Sequence, residues 1–369
     1  MRFAEVVGLD DIKAKLIKSS QRNHHAQLFS GPLGSGNLAL ALAYSSYINC
    51  ENPTADDSCG SCPSCTKIDK LVHPDLHFVI PVSPTQKWKG KDVISDNFLP
   101  EWRALILKNP YVTVNDWVNH YGAEDKQVNI SKEESRQIIQ KLSLKAFEAR
   151  HKIMLIWLPE FMHPASANAI LKILEEPPSA TIFLLVTCDY GRLLTTITSR
   201  TQLVNIRPFR NDEIFGYLND IDDAIAGQIA NLSEGNLSQA INLSQQESDD
   251  GGTFFSEWMR LCWQNDFEAL IHSSESYHAM SKSAQKNLLI YGLNLLRSAL
   301  LSGQDISDLV KSNSSDTDFV NKFGKTVTPG KIEMLSNQLS EAHYHLERNA
   351  SPKITFMDLS LSINQILKS

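Results

Sequence analysis

A short apolar run, a glycine-rich turn and a helix-forming run follow one another between residues 26 and 43. That succession limits the fold more than anything else in the chain. Ala26-Gln27-Leu28-Phe29-Ser30 reads as a buried strand, Gly31-Pro32-Leu33-Gly34-Ser35-Gly36 as the turn, and Asn37-Leu38-Ala39-Leu40-Ala41-Leu42-Ala43 as a helix. In that order they form the setting of a phosphate-binding loop, G-x4-G-K-[ST]. Gly31 and Gly36 fall on the two glycine positions, but the lysine position holds Asn37 and the Ser/Thr position holds Leu38. A lysine there neutralises phosphate charge and a hydroxyl coordinates magnesium, so turnover of magnesium-ATP is not expected of this loop. Its backbone N–H groups remain suited to attracting an anion.

A phosphate loop of this kind needs an apolar strand ending in acidic residues. Lys152 to Trp157 supplies the strand, but Trp157 and Leu158 stand where the acids belong, and Glu160 is the first carboxylate. Thr181 to Thr187 reads as a further strand, after a helix from about Ala165 to Glu175. Strands alternating with helices predict a mostly parallel sheet covered on both faces.

Four of the six cysteines lie within sixteen residues: Cys50, Cys59, Cys62 and Cys65. Paired Cys-x-x-Cys steps bring thiolates from one tight turn to one metal, and four thiolates close a tetrahedral shell with no position left for water. The expectation is a structural zinc site. Disulfides fit poorly without a secretion signal. Cys188 and Cys262 stand apart and read as ordinary small apolar residues.

Several stretches together resemble the bacterial clamp-loader subunits of DNA polymerase III, which are AAA+ proteins. They are His25 to Pro32, Ala167 to Pro178 with its Leu174-Glu175-Glu176-Pro177-Pro178 signature, Leu193 to Thr201 with Ser199-Arg200-Thr201, and the cysteine cluster. The match is strong over 1–81 and 129–208 and rests on layout beyond them. The lost phosphate-loop chemistry points to the delta-prime type of subunit rather than the ATP-hydrolysing gamma/tau type. The resemblance implies an AAA+ α/β domain with the zinc loop, a small helical lid and an all-α collar. It implies that Arg200, beside Ser199, reaches a nucleotide held by a neighbouring subunit, with Thr201 where cysteine is usual. It places Thr187 at the first sensor position and Ser238 near the second, where active members carry arginine. Asn37, Leu38, Trp157, Leu158 and Ser238 all depart from the active pattern in the same direction. The implied partners are gamma/tau and delta subunits, the sliding clamp and primed DNA. The chain itself is expected to have no ATPase activity within the polymerase assembly. The rival readings are an active gamma/tau-like ATPase with an atypical loop and a zinc-containing DNA-binding protein.

The rest of the 369 residues divides by composition. The domains expected are 1–208, with a zinc module at 50–65 and an insertion at 83–128; a lid at 209–249; and a collar at 250–369. The insertion departs from the family pattern and interleaves Trp88, Trp102, Tyr111, Trp117 and Tyr121 with Lys87, Lys89 and Lys91. Those residues suit packing against the main domain, contact with a partner or stacking on bases. Leu218, Ile221, Ile225 and Ile229 have helical spacing in the lid, and Gln245 to Gly252 reads as a linker. Ser312 to Asp316 reads as an exposed loop. Leu288, Leu289, Leu293, Leu295, Leu296 and Leu300 form one apolar stripe in the collar, and Met334, Leu335, Leu339, Ala342 and Leu346 another. The net charge is -7, and residues 209–249 carry eight acids against Arg210 alone. Such a chain is not a general nucleic-acid coat. No apolar run long enough to span a bilayer is present. The N-terminal residues lack a signal pattern, so a cytoplasmic location without membrane contact is expected.

Overall fold

The computed structural model describes residues 1–20, 24–123, 126–244, 250–280, 282–302, 320, 322–348 and 350–368. Of the linker expected at Gln245 to Gly252, residues 245–249 lie outside the described residues, and Asp250, Gly251 and Gly252 instead open a helix, Asp250–Gln264; the Ser312–Asp316 loop also lies outside the described residues. Two compact units are present: Met1–Tyr217 with Glu234–Gln239, and Leu218–Ser233 with Ala240–Ser369.

In the first unit, five strands form one sheet: β1 (Ala26–Ser30), β2 (Leu76–Val79), β3 (Lys152–Trp157), β4 (Thr181–Thr187) and β5 (Gln202–Asn205). All pairs are parallel and the order is β2-β3-β4-β1-β5. Every residue of β1 and β3 is buried. That is the pattern of parallel strands with helices on both faces, and it explains why they read as continuous apolar runs. Ser30 pairs with Thr187 on one side and Asn205 on the other, so the turn after β1 leaves the C-terminal edge of the sheet between two strand ends.

Helix α1 (Asp10–Ser20) precedes β1, and α2 (Asn37–Ile48) follows the glycine turn. Ten positions of α2 are buried, because it is apolar on nearly every face. Further helices are α3 (Pro63–Asp69), α4 (Leu99–Lys108), α5 (Val114–His120), α6 (Lys132–Ser143), α7 (Pro164–Glu175), α8 (Thr195–Thr198) and α9 (Asn211–Tyr217). Helix α6 starts on Ser131, whose hydroxyl accepts the Glu134 N–H. Helix α7 has proline in its first turn, and His163 accepts the Ala165 N–H. Ile138, Leu142, Ile170 and Leu174 from these two helices join Leu28, Met154, Ile156, Phe183 and Leu185 of the sheet in one core. Each such side chain contributes about 1.5–3 kcal/mol by leaving water.

Residues 83–128 pack through their aromatics. Trp102 on α4 and Trp117 on α5 are fully buried, with ring centroids 5.4 Å apart. Trp102 also meets Trp157 of β3 at 4.9 Å, and the Trp117 indole N–H donates to Pro81 O at 2.8 Å. These two rings are therefore unavailable for stacking on bases. Trp88 is half-buried, with the Lys87 ammonium 4.8 Å from its ring centroid.

The second unit is helical among its described residues. It contains α10 (Asp223–Leu232), α12 (Asp250–Gln264), α13 (Phe267–Ala279), α14 (Lys282–Ser302), α15 (Pro329–Glu347) and α16 (Pro352–Lys368), after α11 (Leu237–Ser244), which begins in the first unit. Phe255, Trp258, Tyr277 and Phe356 centre its core, with Trp258 stacked on Phe356 at 4.6 Å. The Trp258 indole N–H donates to Ser360 at 2.8 Å. Leu288, Leu289, Leu295 and Leu296, with Leu335, Leu339, Ala342 and Leu346, belong to that core, and Leu293 and Leu300 pack against it. Met334 is 52% exposed. No helix among the described residues is long and apolar enough to cross a membrane.

A closed phosphate loop and a four-cysteine cluster

The glycine turn needs its glycines. Gly34 and Gly36 have φ of +72° and +80°, a region costly for residues with a Cβ. The loop is closed by its own side chains. Asn37, 5% exposed, donates its amide to Gly31 O at 2.8 Å and to Thr187 O at 3.0 Å. Ser35 donates to the Asn37 carbonyl oxygen at 2.6 Å and lies 2.7 Å from Pro32 O. A lysine would extend past the loop towards a phosphate, whereas the short asparagine turns back and binds the strand ends. Leu38 is buried and presents no hydroxyl. The outer side of the loop is covered as well. A Cβ on Gly34 would fall 1.8 Å from the Asn236 side-chain oxygen, and Leu237 N–H donates to Gly34 O at 3.1 Å.

The remaining nucleotide positions are also engaged internally. Trp157, 2% exposed, packs on Trp102, and Leu158 turns the chain away through a left-handed backbone with φ 56°. Thr187 donates its hydroxyl to Glu160 at 2.9 Å, and the second Glu160 oxygen accepts Cys188 N–H at 3.1 Å. Burial raises the Glu160 carboxyl above its ordinary value, against the lowering effect of these hydrogen bonds. Ser238 is buried, and its hydroxyl makes a long 3.5 Å contact to Asp116 of α5. Trp102 and Asp116, both from residues 83–128, thus pack against Trp157 and meet Ser238.

Arg200 lies just past α8. Its Nε donates to Glu175 at 2.6 Å, and a second guanidinium nitrogen pairs with the same carboxylate. Its Nη1 donates to Thr196 O at 2.8 Å and to the Ser199 hydroxyl at 3.3 Å. The side chain remains 29% exposed. Glu175, at the end of α7, and Arg200 come from the two signature stretches, and this ion pair joins them.

The four cysteine sulfurs all lie within 4.8 Å of one another, and all four are free thiols. Zn–S bonds near 2.3 Å put the sulfurs of a tetrahedral site about 3.8 Å apart, and Cys59 and Cys65 are already at 4.0 Å. Backbone N–H groups of Cys59, Cys62 and Cys65 point at the sulfurs of Cys50, Cys59 and Cys62, at 3.2, 3.3 and 3.4 Å. Gly60, with φ +70°, makes the turn that allows this. The N–H groups of Ser61 and Cys62 pull the Cys59 thiol down to about 6, while burial pushes Cys50 and Cys65 up. Four sulfurs, N–H donors to thiolate and no open position fit a metal such as zinc. The loop is fastened by Asp57, which accepts the N–H groups of Phe3 and Ala4 at 2.9 Å each.

The sequence reading placed the cysteines, the two glycines, Asn37, Leu38 and Arg200 individually. It did not find that Asn236 covers Gly34, that Asp116 meets Ser238 or that Glu175 pairs with Arg200. Of these, Glu175 alone carried a signal, as part of a motif that also includes the helix end beside Arg200.

Fold and site together define an AAA+-like α/β protein whose phosphate loop is closed on itself and which carries a four-cysteine cluster. A family model described as DNA polymerase III, delta subunit, matches residues 10–210. That is more than half of the chain, and the chain belongs to this family. DNA polymerase III subunit delta' of Escherichia coli is 30% identical over 196 residues, 53% of this chain and 46% of that protein. The delta' subunit of Bacillus subtilis is 27% identical over 228 residues, 61% of this chain and 55% of that protein. DNA polymerase III subunit tau of Bacillus subtilis is 28% identical over 255 residues, 66% of this chain and 37% of that protein. The chain spans about half or less of the length of these relatives. A gamma subunit-related protein from Thermotoga maritima superposes with a TM-score of 0.38 at 13% identity, covering 98% of this chain and all of that one.

Proposed function

We propose that this chain is a non-hydrolysing, delta-prime-type subunit of a bacterial clamp loader. The observation that carries the reading is Asn37, buried in the lysine position and bonded to both strand ends. Leu38, Trp157, the Thr187–Glu160 bond and the Ser238–Asp116 contact support it, because each removes a group that nucleotide chemistry needs. In this reading the chain acts on a neighbour's nucleotide. Arg200, oriented by Glu175 and the Ser199 hydroxyl, supplies a permanently charged fork to phosphate oxygens across a subunit boundary. Such an arginine, supplied in trans, is worth about 10³–10⁵ in turnover. The partners are then gamma/tau and delta subunits, the sliding clamp and primed DNA. Residues 209–249 act as a lid and 250–369 as a collar that joins subunits. Zinc at the four cysteines is structural, as its closed thiolate shell requires.

The test is nucleotide binding by the purified chain. No saturable binding of magnesium-ATP and no turnover are expected. Turnover that tracked the chain through purification and vanished on substituting Gly36 would overturn the reading and favour an active ATPase.

A further inference from the structure

A cleft of about 610 Å³ lies at the N-terminal edge of the sheet, where β1, β3 and β4 begin. The phosphate loop leaves the other end of β1. His24, His25, Arg150 and His151 line the cleft beside Tyr47 and Ser179, and no carboxylate is among its lining residues. His25 has a structural role, because its Nε2 lies 3.0 Å from Leu174 O, an acceptor, and so donates to the end of α7. Among the described residues, the other three side chains have no such partner. Arg150 is exposed and, among the described residues, makes no hydrogen bond or ion pair. The His24 ring makes none, and His151 bonds only through its backbone, to Asn49 at 2.9 and 2.8 Å. The neighbouring acids Asp56 and Asp57 act on Tyr47, and Asp57 is committed to the Phe3 and Ala4 N–H groups. Burial and the Arg150 charge both push the His151 imidazole below its ordinary range. Arg150 and the two imidazoles thus share a cleft with no carboxylate among its lining residues, and an anion held there would give the guanidinium a partner.

We infer that this cleft is a second anion site, which takes the phosphoryl group of a nucleotide or of a nucleic-acid strand through Arg150, His24 and His151. The guanidinium offers paired N–H donors matched to phosphoryl oxygens, and the imidazole N–H groups add further hydrogen bonds. The volume falls within the range of small-ligand sites. The inference does not depend on the clamp-loader reading.

The experiment is a titration of the full-length chain with inorganic pyrophosphate at constant ionic strength, following histidine ring and glycine amide resonances by NMR. Saturable shifts are expected at His24 and His151, with the His151 pKa rising on binding. Arg150→Ala should weaken binding about tenfold, the loss expected for one charge-assisted pair, and because Arg150 is exposed this variant should fold. ATP and a 5′-phosphorylated single-stranded oligonucleotide run in parallel identify the source of the phosphoryl group by which binds more tightly with the same histidine shifts. Shifts confined to Gly34 and Gly36, no histidine response to millimolar pyrophosphate, or unchanged affinity in Arg150→Ala would each overturn the assignment.

Discussion

Asn37 donates to two backbone carbonyls and accepts from Ser35 in a region closed to water. Asn37→Ala leaves those carbonyls without partners and should cost about 2 kcal/mol in urea unfolding. Asn37→Lys should fail to create nucleotide binding, because Leu38 still lacks a hydroxyl and Asn236 still covers Gly34. Equilibrium dialysis with labelled ATP checks it, and saturable binding by this variant would contradict the closed-loop account. Glu134 gives a second prediction. It is 1% exposed, one oxygen accepts Ser95 N–H at 2.7 Å, and the other has no partner. Burial raises its carboxyl from 4.5 to about 7, against the opposing effect of the Ser95 N–H. The folded state therefore holds this proton more tightly than the unfolded chain does. The associated stability is complete below pH 4.5 and is lost as the pH rises through 7. Glu134→Gln should match wild type near pH 4 and exceed it by about 1–3 kcal/mol at pH 8. Equal stability of the two proteins in melts at pH 8 would refute this.

At the scale of elements, strand, glycine turn and helix were legible because β1, β3 and α2 are buried on every side and leave unbroken apolar runs. Strand β5 was not legible: its side chains are mostly exposed, so Gln202 to Asn205 shows no alternation. Strand β2 was hidden because it is only four residues long, Leu76–Val79, too short to show a period. The aromatics of 83–128 were visible as a cluster, but their partner, Trp157, lay beyond the insertion. The burial of Trp102 and Trp117 rests on that long-range packing, which periodicity does not encode. Trp102→Ala should therefore cost about 3–5 kcal/mol, and Trp157→Ala a similar amount. The double variant should lose less than the sum, since the two rings share one contact. Full additivity in denaturant titrations would mean that the insertion does not pack through this pair.

Across the whole molecule, the same groups that a phosphate site would use are spent on holding the chain together. The cysteine cluster does the equivalent for a loop with little apolar core of its own. If the cluster holds a metal, stripping it with a chelator, or changing Cys59 and Cys62 to serine, should lower Tm and open residues 50–65 to protease. An unchanged melt with the metal shown to be gone would contradict a structural role. Arg200 is the exception to this inward use: paired with Glu175, it still keeps part of its surface in solvent. The most direct test is ATP hydrolysis by the reconstituted clamp loader with clamp and primed DNA, comparing wild type with Arg200→Ala at confirmed equal assembly. A fall in turnover of at least tenfold, with no turnover from this chain alone, is predicted. Unchanged turnover in an intact assembly would contradict the trans-acting role and leave the chain without a catalytic part.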